Sequence, residues 1–369
     1  MNASGDLTHA TRTIHEYVMR YPLSLDGQKG LALTLRTQER FQEALQAAQK
    51  GYEENPFDGE TYVEAERDLI AMNRYGSVLE LSSQAEHEGV PRNVNILTAA
   101  HLNGREDLVT AQIAELENAL AISAPEDRMQ VTYANLNNYA LFLDNTGRRS
   151  TAVELWRKTA ARAGDDSQLL GTQAYFLAQG ALDQALAENC TVALSMVEDV
   201  KSLEKGPNAM FDAGMAAALC GDQPYAAKTA VALQQNFPRN TVATQDYVPE
   251  LQAAAEIGIN EPEKALPGLD TSAQYDRSLL AVYLRGMAHT ALGQAPLAAI
   301  EFDSLLARQG EASMQQGDVY PMTEIGAARA YKSSRNQLAS VEVYRRFLKL
   351  WKDADQKDPL VTEALARTK

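Results

Sequence analysis

The chain has 369 residues and a formal charge of −15, from 49 acidic against 34 basic side chains, and it is 45% hydrophobic but only 7% aromatic. That much apolar material excludes a disordered chain, and the acidic balance excludes binding through neutralised phosphates, which needs clustered Lys and Arg, so no nucleic-acid partner is expected. No run approaches 18 uninterrupted apolar residues, so no membrane segment is expected, and the polar start MNASGDLTHATRTIHEYVMRYP lacks the basic head and apolar run of an export signal.

Residues 6–20 predict one amphipathic helix with Ile14, Tyr17 and Val18 on a common face. It has the character of the second helix of an incomplete pair, and 1–24 is set apart on that ground. Residues 25–56 then predict a helix pair through Leu31, Ala32, Phe41, Ala44 and Ala48, ended by Pro56, which blocks continuation. In the next pair, 59–91, Val78 falls 34 residues after Ala44. A shorter pair over 93–123 turns at Gly104. A clear copy over 133–164 follows through Leu136, Ala140, Leu143, Gly147, Ala152 and Trp156. Residues 166–196 are expected to turn at Gly180, with Ala185 as their small residue. This closes an N-terminal block of 25–197, and the charged, Gly-Pro punctuated stretch 198–206 reads as a connector.

The C-terminal block, 207–352, opens with a strong copy through Gly214, Gly221, Ala226, Ala230 and Leu233. Asp222 is expected to cap its second helix and Pro224 to lie in the first turn. Residues 240–269 are degenerate. Residues 279–310 form the plainest unit, with Gly286, Ala298 and Phe302 at helical spacing around a turn at Gly293. A loop is expected over 309–318, then a last pair through Ala328, Tyr331, Ser340, Tyr344 and Phe347, and 353–369 ends in a capping helix. The small-residue ladder is Ala44, Val78, Val109, Ala152, Ala185, Ala226, Ala265, Ala298 and Ser340, and no alternating run is long enough for a strand.

This pattern resembles the tetratricopeptide repeat, a 34-residue helix-turn-helix unit that is stable only when stacked on copies of itself. The expected fold is therefore all-α, a right-handed superhelical solenoid of about nine such repeats. The last 90 residues are more specific. Leu284-Arg285-Gly286, Glu301-Phe302, the segment 326–331, and 347–355 (FLKLWKDAD) resemble the C-terminal repeat region of acidobacterial-type bacterial serine/threonine protein kinases; similar regions also follow winged-helix domains in related regulators. In that family a kinase and a membrane helix precede the repeats, which are taken as a sensing or interaction region. The resemblance implies a role in signalling, and a periplasmic place if those parts precede this chain; as written, a cytoplasmic place is expected. Gln309-Gly310 departs from the family, which tends to carry an arginine there.

Catalytic signals are missing. The chain has no glycine-rich phosphate loop, His-Arg-Asp or Asp-Phe-Gly, no Gly-x-Ser-x-Gly elbow and no His-Glu-x-x-His, and its five histidines (His9, His15, His87, His101, His289) do not cluster. No enzyme activity, metal or cofactor is expected. His289 reads as a packing residue, Cys190 and Cys220 as two small buried hydrophobes, and the acid pairs Glu53-Glu54 and Asp165-Asp166 as solvated surface. In a solenoid the first helices line the concave side, which projects Lys29, Leu33, Val63, Arg67, Asn137, Leu141, Tyr283, Met287, Ile325 and Arg329 inward. Of these, Lys29, Arg67, Asn137, Tyr283, Met287 and Arg329 are the candidate groove-lining residues for a protein or peptide partner. Residues 329–352 carry seven basic side chains against one acid, Glu342, and supply an expected surface for self-association. The expected function is a non-catalytic interaction scaffold; the alternatives are a repeat region acting only with a missing kinase or winged-helix domain, and a structural self-association module.

Overall fold

Short helices alternate with tight turns along the computed structural model, which describes residues 7–90, 92–122, 131–164, 170–203, 205–273, 275, 279–315 and 318–369. After α1 (Leu7–Arg20) the helices come in pairs: α2 (Leu25–Arg36) and α3 (Phe41–Glu54), α4 (Gly59–Ala71) and α5 (Tyr75–His87), α6 (Asn95–Leu102) and α7 (Glu106–Ile122), α8 (Val131–Asn145) and α9 (Arg149–Gly164), α10 (Leu170–Leu186) and α11 (Cys190–Lys201). Next come α12 (Pro207–Leu219) and α13 (Gln223–Asn236), then α14 (Val248–Gly258), led by the π-helical turn Ala243–Tyr247, with α15 (Pro262–Ser272). The last elements are α16 (Leu280–Ala291) and α17 (Ala295–Leu306), the short α18 (Gln309–Gln315), α19 (Val319–Ser333) and α20 (Gln337–Leu350), and α21 (Pro359–Arg367). Among the described residues there is no strand. The chain is an all-α array of helical hairpins.

One turn geometry serves every hairpin. A single residue between the two helices takes a left-handed conformation: Gly104, Gly147, Gly221 and Gly293 in four of them, and Glu39, Asn73, Glu188, Asn260 and Arg335 in the others. The next amide reaches back across the helix end, as from Arg40 to the Leu35 carbonyl at 3.0 Å, Asn189 to Gln184 at 2.8 Å and Gln294 to His289 at 2.9 Å, which satisfies carbonyls the first helix leaves open. Arg335 is exposed and holds φ of 62° against the preference of an L side chain. Arg335→Gly is expected to raise stability by about 0.5–1 kcal/mol, read as a higher urea midpoint with an unchanged slope.

The fourth residue of each second helix is small and buried: Ala44, Val78, Val109, Ala152, Ala193, Ala226, Ala265, Ala298 and Ser340. This register corrects one step of the expected ladder, because Ala193 and not Ala185 holds the position in α11. Gly180 does not turn the chain; it lies within α10, where a Cβ would come within 2.7 Å of both Trp156 and Met196, and the turn falls at Glu188 instead. The connector expected from residue 198 begins inside α11, which runs to Lys201. His289 is only half buried, and its Nδ1 lies 2.7 Å from the Gln294 Oε1. Asp165 and Asp166, and the ends of two expected repeats at Pro91 and Ser123, lie outside the described residues.

Two compact units emerge, Met1–Tyr139 with Arg308–Met314, and Ala140–Ala307 with Gln315–Lys369. In the first, Tyr52 stacks on the buried Tyr62 at 4.6 Å over a core that includes Ala44, Ile70, Val78 and Val90. The stretch expected to be a loop at 309–318 contributes α18 to this unit. The Gly310 amide donates to Asn73 Oδ1 at 2.8 Å, and Arg308 pairs with Glu39 at 2.8 Å. Gly310 lies so close to the Ile70 carbonyl that a side chain there would overlap it.

In the second unit Cys190, the first residue of α11, and Cys220, just after α12, form a disulfide with Cα atoms 5.2 Å apart. They are half-buried partners, not two separate packing residues. Their separation of 30 residues is close to one repeat, and stacking brings such positions side by side. Cys190→Ser with Cys220→Ser is expected to cost about 3 kcal/mol in non-reducing urea unfolding, and the intact protein should show no titratable thiol.

Candidate functional site

In the first unit Lys29, Leu33 and Arg36 fall on successive turns of α2, beside α4. Lys29 Nζ lies 2.6 Å from Glu60, 3.4 Å from Asp26 and 3.9 Å from Asp58; its hydrogen bond to Glu60 raises its pKa. Arg36 is buried against Asp68 at 2.6 Å and Glu64 at 2.7 Å, and Arg67 pairs with Glu64 at 3.0 Å. Burial still pushes Asp68 up to about 6. It pushes Glu66 to about 7, although Asn93 donates to that carboxylate at 2.6 Å. Between the charged pairs Leu33 is 42% exposed, an apolar side chain in a polar frame. Asn137, in the part of α8 that belongs to this unit, is half buried with its amide 3.5 Å from Asn138 Oδ1.

The second unit treats its expected groove residues differently. Tyr283 is only 9% exposed, with its ring 6.0 Å from Phe302, and burial holds the phenol neutral. Met287 is half buried. Arg329 is already engaged by Glu363 and Glu188, each at 2.6 Å. Of the basic run at 329–352, Arg346 likewise pairs with the buried Glu324 at 3.1 Å. Lys29 and Arg67 thus lie on α2 and α4 of one unit, while Tyr283 and Arg329 share a charged neighbourhood in the other.

Sequence reading missed a set of buried carboxyl groups on the first helices of the second unit: Asp144, Asp183 and Asp212, with Asp318 at the start of α19. Asp144 accepts from Trp156 Nε1 at 2.8 Å and Gln184 Nε2 at 3.1 Å. Burial pushes Asp144 to about 7 and Asp212 to about 8, and it raises Asp183 and Asp318 well above the ordinary carboxylate range. A signal existed, since each of the first three sits within an apolar run: Leu141-Phe142-Leu143-Asp144, Ala181-Leu182-Asp183 and Phe211-Asp212-Ala213. Among the described residues no group of three or more His, Cys, Asp or Glu is arranged to hold a metal ion, and no helix is long and apolar enough to cross a membrane.

The residues that carry the kinase-region resemblance work inside the fold. Arg285 bonds Glu301 at 2.8 Å, Gly286 gives room to Phe302, and Phe347 packs on Trp351 at 4.7 Å. Together the repeated turn and the buried fourth residue define an all-α protein of repeated helical hairpins. No protein-family model matches the chain, and no curated protein matches its sequence. Among solved structures it is similar to yeast Tom70, at 11% identity and a TM-score of 0.26 over 98% of this chain and 95% of that one. It is also similar to the P58(IPK) TPR domain, at 10% identity and a TM-score of 0.26 over 100% and 94%.

Proposed function

We propose that this protein is a non-catalytic interaction scaffold that holds an extended peptide or an amphipathic helix along α2 and α4. One observation carries the reading: Leu33 stands exposed between the Lys29–Glu60 and Arg36–Glu64 pairs, so an apolar anchor is flanked by groups able to orient a backbone or a charged side chain. Arg67 extends the same face. The resemblance of 284–302 and 347–355 supports a place in signalling, as the interaction region of a kinase-like sensor. The Cys190–Cys220 disulfide supports an oxidising compartment over the cytoplasm.

Peptides selected from a random display library on the whole protein test this reading. Binding that protects the amides of α2 and α4 from exchange, and that weakens at least about tenfold in Leu33→Glu with helicity retained, is the expected result. Protection confined to other helices, or affinity indifferent to Leu33→Glu, would remove the assignment.

A further inference from the structure

The two ends of the second unit meet. The Trp351 indole donates to the Asn145 carbonyl at 3.1 Å, and the Asp355 amide donates to the Gly147 carbonyl at 3.0 Å. The Asp355 carboxylate accepts from the amide and hydroxyl of Ser150 at 2.8 and 2.7 Å. Arg149 closes the seam by donating to Asp358 and, at 2.8 Å, to the Ala187 carbonyl. A side chain at Gly147 would run into Ala354 and Trp351.

Behind this seam lie Asp144 of α8, Asp183 of α10 and Asp318 of α19, all fully buried. Neither oxygen of Asp183 or of Asp318 receives a hydrogen bond from a donor group among the described residues, and the Asp144 carboxyl lies within hydrogen-bonding reach of Asp183, where one proton can be shared. The Asp318 amide lies near enough to ease the charge on Asp183 without completing a bond. Neighbouring elements add mostly negative charge: Asp212 from α12 and Asp144 press on Asp183, and Asp358 from the start of α21 presses on Asp318. The Tyr283 phenol of α16 lies near Asp318 and the Tyr175 phenol of α10 near Asp183 and Asp212; Glu188 and Arg329 act on Tyr283, and Glu363 holds Arg329. The cationic relief comes from Arg149, whose guanidinium already serves Asp358 and Ala187. Ionised together in this dry contact, the carboxylates would repel across it, and a buried charge without a partner is costly.

We propose that closure of the second unit is a proton-operated latch, in which neutral Asp183 and Asp318 keep α19 and α21 seated on α8, α9 and α10 and their ionisation releases the seam. The direction follows from proton linkage. Once the seam opens to water these carboxyls titrate near 4, so the closed form binds more protons than the open one from about that pH up to its own raised values. Closure is fully favoured below the window and is lost as pH rises through it. The latch does not depend on which ligand the scaffold holds.

Amide hydrogen exchange on the full-length protein between pH 6 and 9, corrected for intrinsic exchange, tests it. The reporter is the Asp355 amide, and the reference is the Phe237 amide that caps the end of α13 by donating to the Leu233 carbonyl at 3.0 Å. Protection at Asp355 should fall at least about tenfold across the range, the response to one proton released per opening over a single pH unit, while Phe237 stays protected. Asp183→Asn with Asp318→Asn should make the profile clearly shallower, leaving only the share that Asp144 and Asp212 contribute. A flat wild-type profile, a parallel loss at Phe237, or an asparagine variant that follows the wild-type curve would overturn the latch. Should the double variant not fold, Asp318→Asn alone is expected to reduce the slope, and an unchanged slope counts against the proposal.

Discussion

Replacing Arg149 with alanine is expected to loosen residues 351–369 from α8 and α9 at a cost of about 3–5 kcal/mol, the range for breaking a buried ion pair by removing one partner. Arg149 and Asp358 are both buried, and the same guanidinium satisfies the Ala187 carbonyl and lies 5.5 Å from the centre of the Trp351 ring. Alanine would leave the Asp358 Oδ2 and a carbonyl without a donor, although Asp358 Oδ1 keeps the Leu360 and Val361 amides, and it would remove the positive charge nearest Asp144 and Asp318. Limited trypsin digestion should then cut at Lys352 and Lys357 well before the helices unfold. Arg149→Lys is expected to recover only part of the loss, because an ammonium cannot reach two acceptors in fixed directions as a planar fork does. Equal digestion of wild type and Arg149→Ala would mean that Trp351 and Asp355 hold the seam by themselves.

The second large effect is expected at Trp156, with Trp351 one of the two largest fully buried side chains among the described residues. It packs against Gly180 and the Phe176 ring, 6.1 Å away, and its indole N–H is a hydrogen-bond donor to Asp144. Trp156→Ala should lower stability by about 3–5 kcal/mol, since the transfer loss and the cavity add. Trp156→Phe separates the two roles: it keeps much of the ring volume but strips Asp144 of a donor, an expected further penalty of about 1–3 kcal/mol. Gly180→Ala approaches the same contact from the other side, and overpacking there should cost about 1–3 kcal/mol. Denaturant unfolding of the three variants checks the order, with Trp156→Ala the lowest.

Much of the array was readable without coordinates. Helical periodicity, the glycines at 104, 147, 221 and 293 and the small residues at 44, 152, 226 and 298 located most hairpins, because each of these signals arises within one repeat. The reading failed where a turn used another residue in the glycine's place. Glu188 takes the left-handed position, and Gly180, which looked like the turn, is instead the gap that admits Trp156.

Local pattern therefore determined the helices, their pairing and the all-α class, since short-range sterics and amphipathic spacing need nothing beyond neighbouring residues. Contacts between distant repeats decided the rest. The Cys190–Cys220 bond, the docking of α18 on Asn73 and Ile70, the burial of Tyr283 and the meeting of Asp183 with Asp318 each join residues 30 to more than 200 positions apart. The physical reason is that a carboxyl or thiol on one helix carries no mark of its partner until stacking brings the two together.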